Sequence, residues 1–498
     1  MSNYILAIDQ GTTSSRAIIY NTTLQSQASA QQELQLSYPQ PGWVEQDPKQ
    51  LWQSVLSCMR QALAQSGVSA ADIAGIGITN QRETTLLWHK ASGQALYPAI
   101  VWQDRRTAAH CQQLKDAGVE ALLQQKTGLL LDPYFSATKL SWLLDNVPGA
   151  RQQAERGELC FGTVDSYLLW QLTAGKVHAT DASNASRTLL FNIHKQCWDD
   201  ELLTLFNIPA AILPTVLDNA ARFGFSTPEV LGAAIPVLGM IGDQQGALLG
   251  QACTEPGMSK STYGTGCFTV VNTGSSVFTS QHKLLSTVAW RINGHTTYAL
   301  EGSIFMAGAT VQWLRDQLGI INNAADTEAL AQGISYQQAE LLIPAFTGLG
   351  APYWQPEVKA ALFGLGRDSG RAHIAAAALR SVAYQSRDLL HAMQQDGLSV
   401  KRLRVDGGMT ANRWFLQALA DITQQSIERC QTTDATAMGA AFLVAMQLGL
   451  YQQVQDISAV WRSDWLLKPE LAGSDADKLY LRWQRVVDTL LNIKPALD

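Results

Sequence analysis

Short apolar runs alternate along the chain with longer segments in which apolar residues recur every three or four positions. The first run, residues 4–8, is branched and apolar and ends at Asp9. A turn rich in glycine, serine and threonine follows at 11–15, and apolar residues resume at 17–20. This pattern predicts a strand, a tight turn and a returning strand.

The next segment has the pattern of an amphipathic helix. Asp47 is a typical N-cap, Pro48 suits the first helical position and Gly67 is a typical stop signal. Between them, apolar residues recur four positions apart at Leu51, Val55, Met59 and Leu63. Similar patterns predict further helices over roughly 104–125, 161–173, 303–318, 371–394, 411–424 and 434–449. Helices that alternate with short apolar strands indicate an α/β fold with largely buried sheets.

Three of the predicted strands run directly into an aspartate and a glycine-containing turn. These aspartates are Asp9, Asp243 and Asp406. A fourth glycine-rich turn, residues 263–267, lies between two further apolar runs. Because ligands bind at the carboxyl ends of strands in α/β sheets, the repetition predicts two related halves that face one cleft. The second set of strands begins near residue 250.

Composition and charge narrow the class of protein. The 498 residues are 46% hydrophobic and only 16% charged, which is typical of a compact chain with two or three domains. The net charge is −6, and no basic run occurs. A nucleic acid or an anionic membrane would find no electrostatic binding surface, so we expect neither as a partner.

The cysteines and the apolar runs bear on location. Seven cysteines are scattered without a C-x-x-C motif, which indicates reduced thiols and a cytoplasmic protein. The N-terminal stretch has no basic region and is interrupted by Asp9, so we expect no secretory signal. The charge-free run 230–242 lies between Glu229 and Asp243 and is well short of the roughly 20 residues that span a bilayer. The sequence therefore predicts no membrane segment.

The turn after Asp9 carries the chemistry of a phosphate site. Its consecutive backbone N–H groups and hydroxyls suit polyphosphate oxygens, and Asp9 could hold Mg²⁺ through water. The alternative is an ordinary hydroxyl-rich hairpin. The chain contains no G-x-x-x-x-G-K-[ST] and no G-x-G-x-x-G motif, which excludes P-loop, Rossmann and protein-kinase sites.

Asp243 is the sharpest single candidate for catalysis. It follows the apolar run 235–241, and a carboxylate at a buried strand end is costly unless it is paired or used. The alternative is a helix cap for residues 244–250.

Arg82 and Glu83 are adjacent and offer donors beside acceptors, a suitable combination for binding vicinal hydroxyls. A solvated, salt-bridged loop is the alternative. Trp102 and Phe268 could wall a small pocket or belong to the core. The glycines of 406–412 would let a flat ring approach the backbone, or form a plain strand-to-helix turn.

Several segments together resemble the FGGY carbohydrate kinase family. They are residues 9–16 (DQGTTSSR), 38–48 (YPQPGWVEQDP), 77–85 (GITNQRETT) and 242–245 (GDQQ). Residues 134–142 and 360–379 are similar to the two signatures of that family, although the second is followed by Arg380 in place of an acidic or amide residue.

The resemblance implies an actin/hexokinase/Hsp70-like fold of two ribonuclease-H-like domains that flank a catalytic cleft. The N-terminal domain, 1–250, would carry the polyol site and the first phosphate turn, and the C-terminal domain, 251–498, would bind the nucleotide. The implied reaction is ATP-dependent phosphorylation of glycerol to sn-glycerol 3-phosphate, the first step of glycerol catabolism. Dihydroxyacetone or another short polyol is the alternative substrate. A cytoplasmic homo-oligomer, either a dimer or a tetramer, is expected.

The same resemblance assigns site residues, with ATP and Mg²⁺ as cofactors and Asp243 as the general base. The residues implied for glycerol are Arg82, Glu83, Trp102, Tyr134, Asp243, Gln244 and Phe268. Those implied for the phosphates are Thr12, Thr13, Ser14, Arg16 and Thr265, and those for the nucleoside are Gly308, Gln312, Gly408 and Asn412. Asp9 and Asp243 are the residues implied for Mg²⁺.

Two other classes share phosphate turns of this kind. A chaperone ATPase would need a peptide-binding module, for which the chain has no spare length. A sugar-sensing regulator would need a DNA-binding helix pair and a basic face, and the sequence shows neither. Both are therefore weaker interpretations than a kinase.

Overall fold

The structure, a computed structural model, describes residues 3–432 and 434–493 and is built around two large mixed sheets. The strands, in chain order, are β1 (Tyr4–Gln10), β2 (Ser14–Asn21), β3 (Ser26–Glu33), β4 (Glu45–Gln46), β5 (Ile73–Asn80), β6 (Leu86–His89), β7 (Ala99–Ile100), β8 (Leu159–Gly162), β9 (Ala179–Asp181), β10 (Phe191–Asn192), β11 (Cys197–Trp198), β12 (Thr215–Leu217), β13 (Ala220–Phe225), β14 (Pro236–Gly242), β15 (Met258–Tyr263), β16 (Cys267–Gly274), β17 (Leu285–Ile292), β18 (His295–Ile304), β19 (Leu341–Ile343), β20 (Ala361–Phe363), β21 (Arg402–Asp406), β22 (Ile427–Cys430) and β23 (Ser463–Leu467).

The helices pack on and between these sheets. They are α1 (Pro48–Ser66), α2 (Ala108–Asp116), α3 (Glu120–Thr127), α4 (Ser136–Asn146), α5 (Ala150–Glu155), α6 (Val164–Leu172), α7 (Ala182–Ala185), α8 (Asp200–Leu205), α9 (Pro228–Leu231), α10 (Asp243–Gly250), α11 (Gly308–Asp316), α12 (Asp326–Ala331), α13 (Arg371–Gln395), α14 (Arg413–Thr423), α15 (Ala435–Gln447) and α16 (Gly473–Asn492). Among the described residues, no helix is both long enough and apolar enough to cross a membrane.

The two sheets share one plan. The first has the order β13-β14-β5-β1-β2-β3, in which β14, β5 and β1 are parallel and β1, β2 and β3 form an antiparallel meander. The second has the order β17-β18-β16-β15-β21-β22-β23, again with three parallel strands, β15, β21 and β22, beside antiparallel ones. The related halves predicted from the sequence are thus present.

The capping and stop signals in the sequence predicted the bounds of the first helix correctly. The Asp47 side chain accepts a hydrogen bond from the Lys49 backbone N–H at 2.8 Å, and Gly67 ends α1 with a left-handed φ of +67°. The predicted stop needs glycine because other residues are strained at that φ.

Three predicted helix bounds are wrong. Residues 104–125 form two helices, α2 and α3, because the chain breaks at Gly118 with φ +76°. The helices predicted from 161 and 303 begin later, as α6 and α11, since the preceding apolar residues belong to β8 and β18. Apolar periodicity does not separate a strand end from the first turn of a helix.

The two halves meet where α10 and α15 pack backbone to backbone. A Cβ added to Gly250 would lie 1.8 Å from the Ala435 carbonyl oxygen, and one added to Gly439 would lie 2.1 Å from that of Gly246. Helix α15 also packs on β1, β5 and β14 of the first sheet. The second half therefore contributes to the core of the first, and the domain boundary at residue 250 stays a prediction.

A buried carboxyl group on α13 joins that helix to the last helix, α16. Asp388 on α13 accepts hydrogen bonds from the Tyr480 hydroxyl at 2.8 Å and from Trp483 Nε1 at 2.9 Å. Burial raises the pKa of Asp388 to about 7, although these donors oppose the rise. The folded protein therefore holds a proton here that the unfolded chain releases near its ordinary pKa of about 4.

We expect this proton to make stability depend on pH. The contribution of Asp388 to the free energy of unfolding should fall by up to about 1.4 kcal/mol per pH unit between about pH 4 and pH 7, then level off. The measurement is the thermal midpoint of the wild type minus that of Asp388→Asn from pH 4.5 to 8.5. The difference should decrease up to pH 7 and stay constant above it. A difference independent of pH would show that Asp388 is ionised when folded.

Candidate active site

The carboxyl ends of β5 and β14 bring two predicted site residues into contact. Arg82 follows β5 and Asp243 follows β14, and Arg82 Nε lies 3.0 Å from Asp243 Oδ1. Gly242 makes this approach possible, because a Cβ there would lie 2.8 Å from Arg82 Cδ. The guanidinium is buried, whereas 28% of the Asp243 side chain is exposed. Asp243 therefore presents a carboxylate to the cleft while an arginine holds it from behind.

Asp243 is also the first residue of α10, one position after the N-cap that the alternative interpretation assigned to it. Gly242 occupies the N-cap position, and Asp243 Oδ1 accepts a hydrogen bond from the Gln244 backbone N–H at 2.6 Å. Its pairing with Arg82 is additional to this local role. The carboxylate is thus fixed by both the helix start and the arginine.

Arg82 and Glu83 do not form a solvated loop, since both are buried. Each takes an ionic partner from elsewhere in the chain. Glu83 Oε1 lies 2.6 Å from Arg187 Nε, and Arg82 NH1 lies 2.6 Å from Glu301 Oε2. Glu83 has φ +60°, a strained conformation for a residue with a side chain that is typical of functional sites.

Two of these partners, Arg187 and Glu301, were missed from the sequence. Glu301 Oε1 lies 2.8 Å from Arg187 NH2, so Glu301 joins the two arginines. Burial alone would raise the pKa of Glu301, but Arg187 and Arg82 together lower it to about 2. The available signal was a glutamate directly after the apolar residues 298–300 of β18.

Three aromatic rings whose residues the resemblance implies for glycerol lie together in the structure. The Trp102 ring contacts Tyr134 with centroids 5.6 Å apart and Phe268 with centroids 6.0 Å apart. Trp102 Nε1 donates a hydrogen bond to Thr12 Oγ1 at 2.9 Å. This aromatic wall is therefore joined to the hydroxyl-rich turn of the first half.

Two buried lysines that sequence reasoning also missed contact Tyr134 and Gln244, two of the residues implied for glycerol. Lys139 donates to the Tyr134 carbonyl at 2.6 Å, and burial lowers its pKa to about 7. Lys260 donates to Gln244 Oε1 and to Thr262 Oγ1, the latter at 3.0 Å. Burial lowers the pKa of Lys260, while Asp406 and Asp243 oppose that shift. Gln244 is thus oriented by a cation from the other half.

Acidic groups converge beside the first phosphate turn. Burial and the neighbouring Asp243 raise the pKa of Asp9 to about 7. Arg16, on the returning strand, forms an ion pair with Asp434 at the start of α15. No group of three or more His, Cys, Asp and Glu side chains in the described ranges could hold a metal alone. Asp9 and Asp243, whose carboxylates interact electrostatically, still fit Mg²⁺, because this ion keeps several water ligands and needs only one or two carboxylates beside substrate phosphates.

A cavity of about 560 Å³ opens in the second half. Its lining includes five residues implied for the nucleotide, namely Thr265, Gly308, Gln312, Gly408 and Asn412. A Cβ on Gly308 would lie 2.6 Å from the Gly264 carbonyl oxygen, so these turns pack closely. Thr12, Thr13, Ser14 and Arg16 lie instead on the β1–β2 turn and β2 of the first half. The residues implied for the phosphates are therefore divided between the halves.

Comparison with known proteins decides the family. The models of the N-terminal and C-terminal domains of the FGGY family of carbohydrate kinases match residues 4–250 and 260–448. The chain belongs to the FGGY family of carbohydrate kinases. The family and the two-domain kinase fold expected from the sequence are confirmed.

Relatives within the FGGY family match over nearly their whole length. A glycerol kinase of Ectopseudomonas mendocina is 59% identical over 97% of this chain and 98% of its own length. Glycerol kinase 1 of Pseudomonas aeruginosa is 58% identical over 98% of this chain and 99% of its own. A crystal structure of Plasmodium falciparum glycerol kinase with ADP superposes with a TM-score of 0.92 at 33% identity, covering 98% of each chain.

Proposed function

We propose that this FGGY kinase transfers the terminal phosphoryl group of ATP to glycerol and releases sn-glycerol 3-phosphate. Full-length relatives named glycerol kinase support this reaction, and they do not favour dihydroxyacetone or another short polyol. The observation that carries it is the Arg82–Asp243 pair beside the aromatic wall. Charged groups there can bind hydroxyls while the rings cover the carbon edge of a small polyol.

Asp243 is the general base of the proposed reaction. An alcohol is a weak nucleophile at neutral pH, so a carboxylate within hydrogen-bond reach takes its proton as the phosphoryl group transfers. Arg82 Nε orients that carboxylate at 3.0 Å. Glu83, Tyr134 and Gln244 provide the remaining polar contacts to the hydroxyls.

The nucleotide occupies the 560 Å³ cavity, with its phosphates directed to the turns at 11–15 and 263–267. Asp9 and Asp243 are the residues that would hold Mg²⁺. When bound, the ion neutralises charge on the phosphate oxygens. The turns add N–H and hydroxyl donors, so catalysis depends on positioning and charge stabilisation. The cytoplasmic location and the dimer or tetramer stay predictions.

A substrate panel tests the choice of acceptor. Purified protein with Mg-ATP is assayed for ADP formation with glycerol, dihydroxyacetone, xylulose and gluconate, each over a range of concentrations. We expect the highest kcat/KM with glycerol. A higher kcat/KM with dihydroxyacetone or a sugar would assign a different acceptor to the same fold.

A further inference from the structure

Four buried charged side chains form one cluster beneath the polyol pocket. They are Arg82, Glu83, Arg187 and Glu301, and no side chain of the four is more than 2% exposed. Three of them lie in the first half of the chain. Glu301 alone comes from the second half, on β18.

Glu301 contacts both arginines with short distances. Its Oε2 lies 2.6 Å from Arg82 NH1, and its Oε1 lies 2.8 Å from Arg187 NH2. Arg82 NH2 also donates to Oε1 at 3.3 Å, which makes that pair bidentate. Bidentate pairing fixes the plane of a guanidinium as well as its position.

Both arginines also contact side chains that the family resemblance implies for glycerol. The Nε atom of Arg82 faces Asp243, and its NH2 donates to the Tyr134 hydroxyl at 3.4 Å. Arg187 Nε binds Glu83, and its guanidinium carbon lies 5.6 Å from the centre of the Tyr134 ring. Glu301 thus reaches the polyol site through both arginines.

Stability alone is a weak reason for such a cluster. Burying charged groups costs several kcal/mol per ion, and buried ion pairs are often no more stabilising than apolar residues of similar volume. Within the cluster, the two cations Arg82 and Arg187 balance the two anions Glu83 and Glu301. What such a balanced cluster provides is a fixed geometry.

We propose that Glu301 is a positioning residue for glycerol, acting through Arg82 and Arg187 without touching the substrate. The inference rests on the proposed function. In this proposal, a residue on β18 of the second half orients the glycerol-binding groups of the first half. Loss of the Glu301 charge should therefore impair glycerol binding more than ATP binding.

Glu301→Gln tests this directly, because it keeps the shape and removes the charge. We expect the KM for glycerol to rise about 30-fold or more, with the KM for ATP changed by less than about twofold. Asp388→Asn is the matched control, since it makes a carboxyl-to-amide change at another buried site of the second half, whose partners Tyr480 and Trp483 lie on α16. It should change thermal stability while leaving both KM values near those of the wild type.

Arg187→Lys is the second variant, should Glu301→Gln fail to fold. A lysine keeps the charge but cannot bind Glu83 and Glu301 through two separate nitrogens, so the KM for glycerol should again rise selectively. A folded Glu301→Gln, or failing that a folded Arg187→Lys, with an unchanged KM for glycerol would overturn the inference. A wild-type protein without glycerol-dependent turnover would instead refute the proposed function.

Discussion

Asp243→Asn should lower kcat by about 10²–10⁴-fold, the usual contribution of a positioned general base. The amide keeps the shape of the carboxylate and can still accept a hydrogen bond from Arg82 Nε, which lies 3.0 Å away in the wild type. It cannot take the proton of a hydroxyl. Glycerol should therefore still bind, and the loss should appear in turnover, measured by steady-state kinetics and by glycerol titration calorimetry.

Asp200→Asn is the matched control for this experiment. Asp200 also occupies the first position of a short helix, α8, but is exposed and outside the cleft. Its variant should retain the kcat of the wild type. If Asp243→Asn also kept a near-normal kcat, Asp243 would not be the base.

Glu83→Ala should weaken glycerol binding by roughly 2–4 kcal/mol, about 30- to 1000-fold in KM. The substitution removes an acceptor for substrate hydroxyls and leaves Arg187 without the carboxylate that lies 2.6 Å from its Nε. ATP binding should change little, because the cavity proposed for the nucleotide is lined by residues of the second half. The KM values for both substrates are the measurement.

Glu158→Ala removes the carboxylate of an exposed ion pair with Arg156 and is the control for Glu83→Ala. Exposed pairs contribute at most about 1 kcal/mol, so its kinetics should match the wild type. An unchanged KM for glycerol in Glu83→Ala would remove Glu83 from the polyol site. A change confined to the KM for ATP would place the loop on the nucleotide side.

Local patterns in the sequence predicted much of this molecule. Asp47 and Gly67 bound α1, and Asp9, Asp243 and Asp406 mark the strand ends at the cleft, because caps, turns and strand ends depend on neighbouring residues. The glycine-rich turns that line the cavity proposed for the nucleotide were predictable for the same reason. These features need no knowledge of which strands pair.

Contacts between distant residues were not predictable in this way. Glu301 is 219 positions from Arg82 and 114 from Arg187, so no spacing motif links them. Lys260 reaches Gln244 only because the two halves meet at the pocket. A charged residue inside a buried strand was visible, but its partners follow from the tertiary fold alone. The site residues implied by the FGGY resemblance stay predictions until the variants are measured.

Phosphorus NMR of the reaction products, with and without glycerol, tests the central proposal most directly. Protein and Mg-ATP are incubated with glycerol, and ATP, ADP, inorganic phosphate and phosphate esters are quantified over time. We expect sn-glycerol 3-phosphate and ADP in equal amounts, and much slower ADP formation when glycerol is omitted, since the pocket positions a polyol rather than water. Equal rates of ADP formation in both samples, with inorganic phosphate as the product, would contradict glycerol as the acceptor.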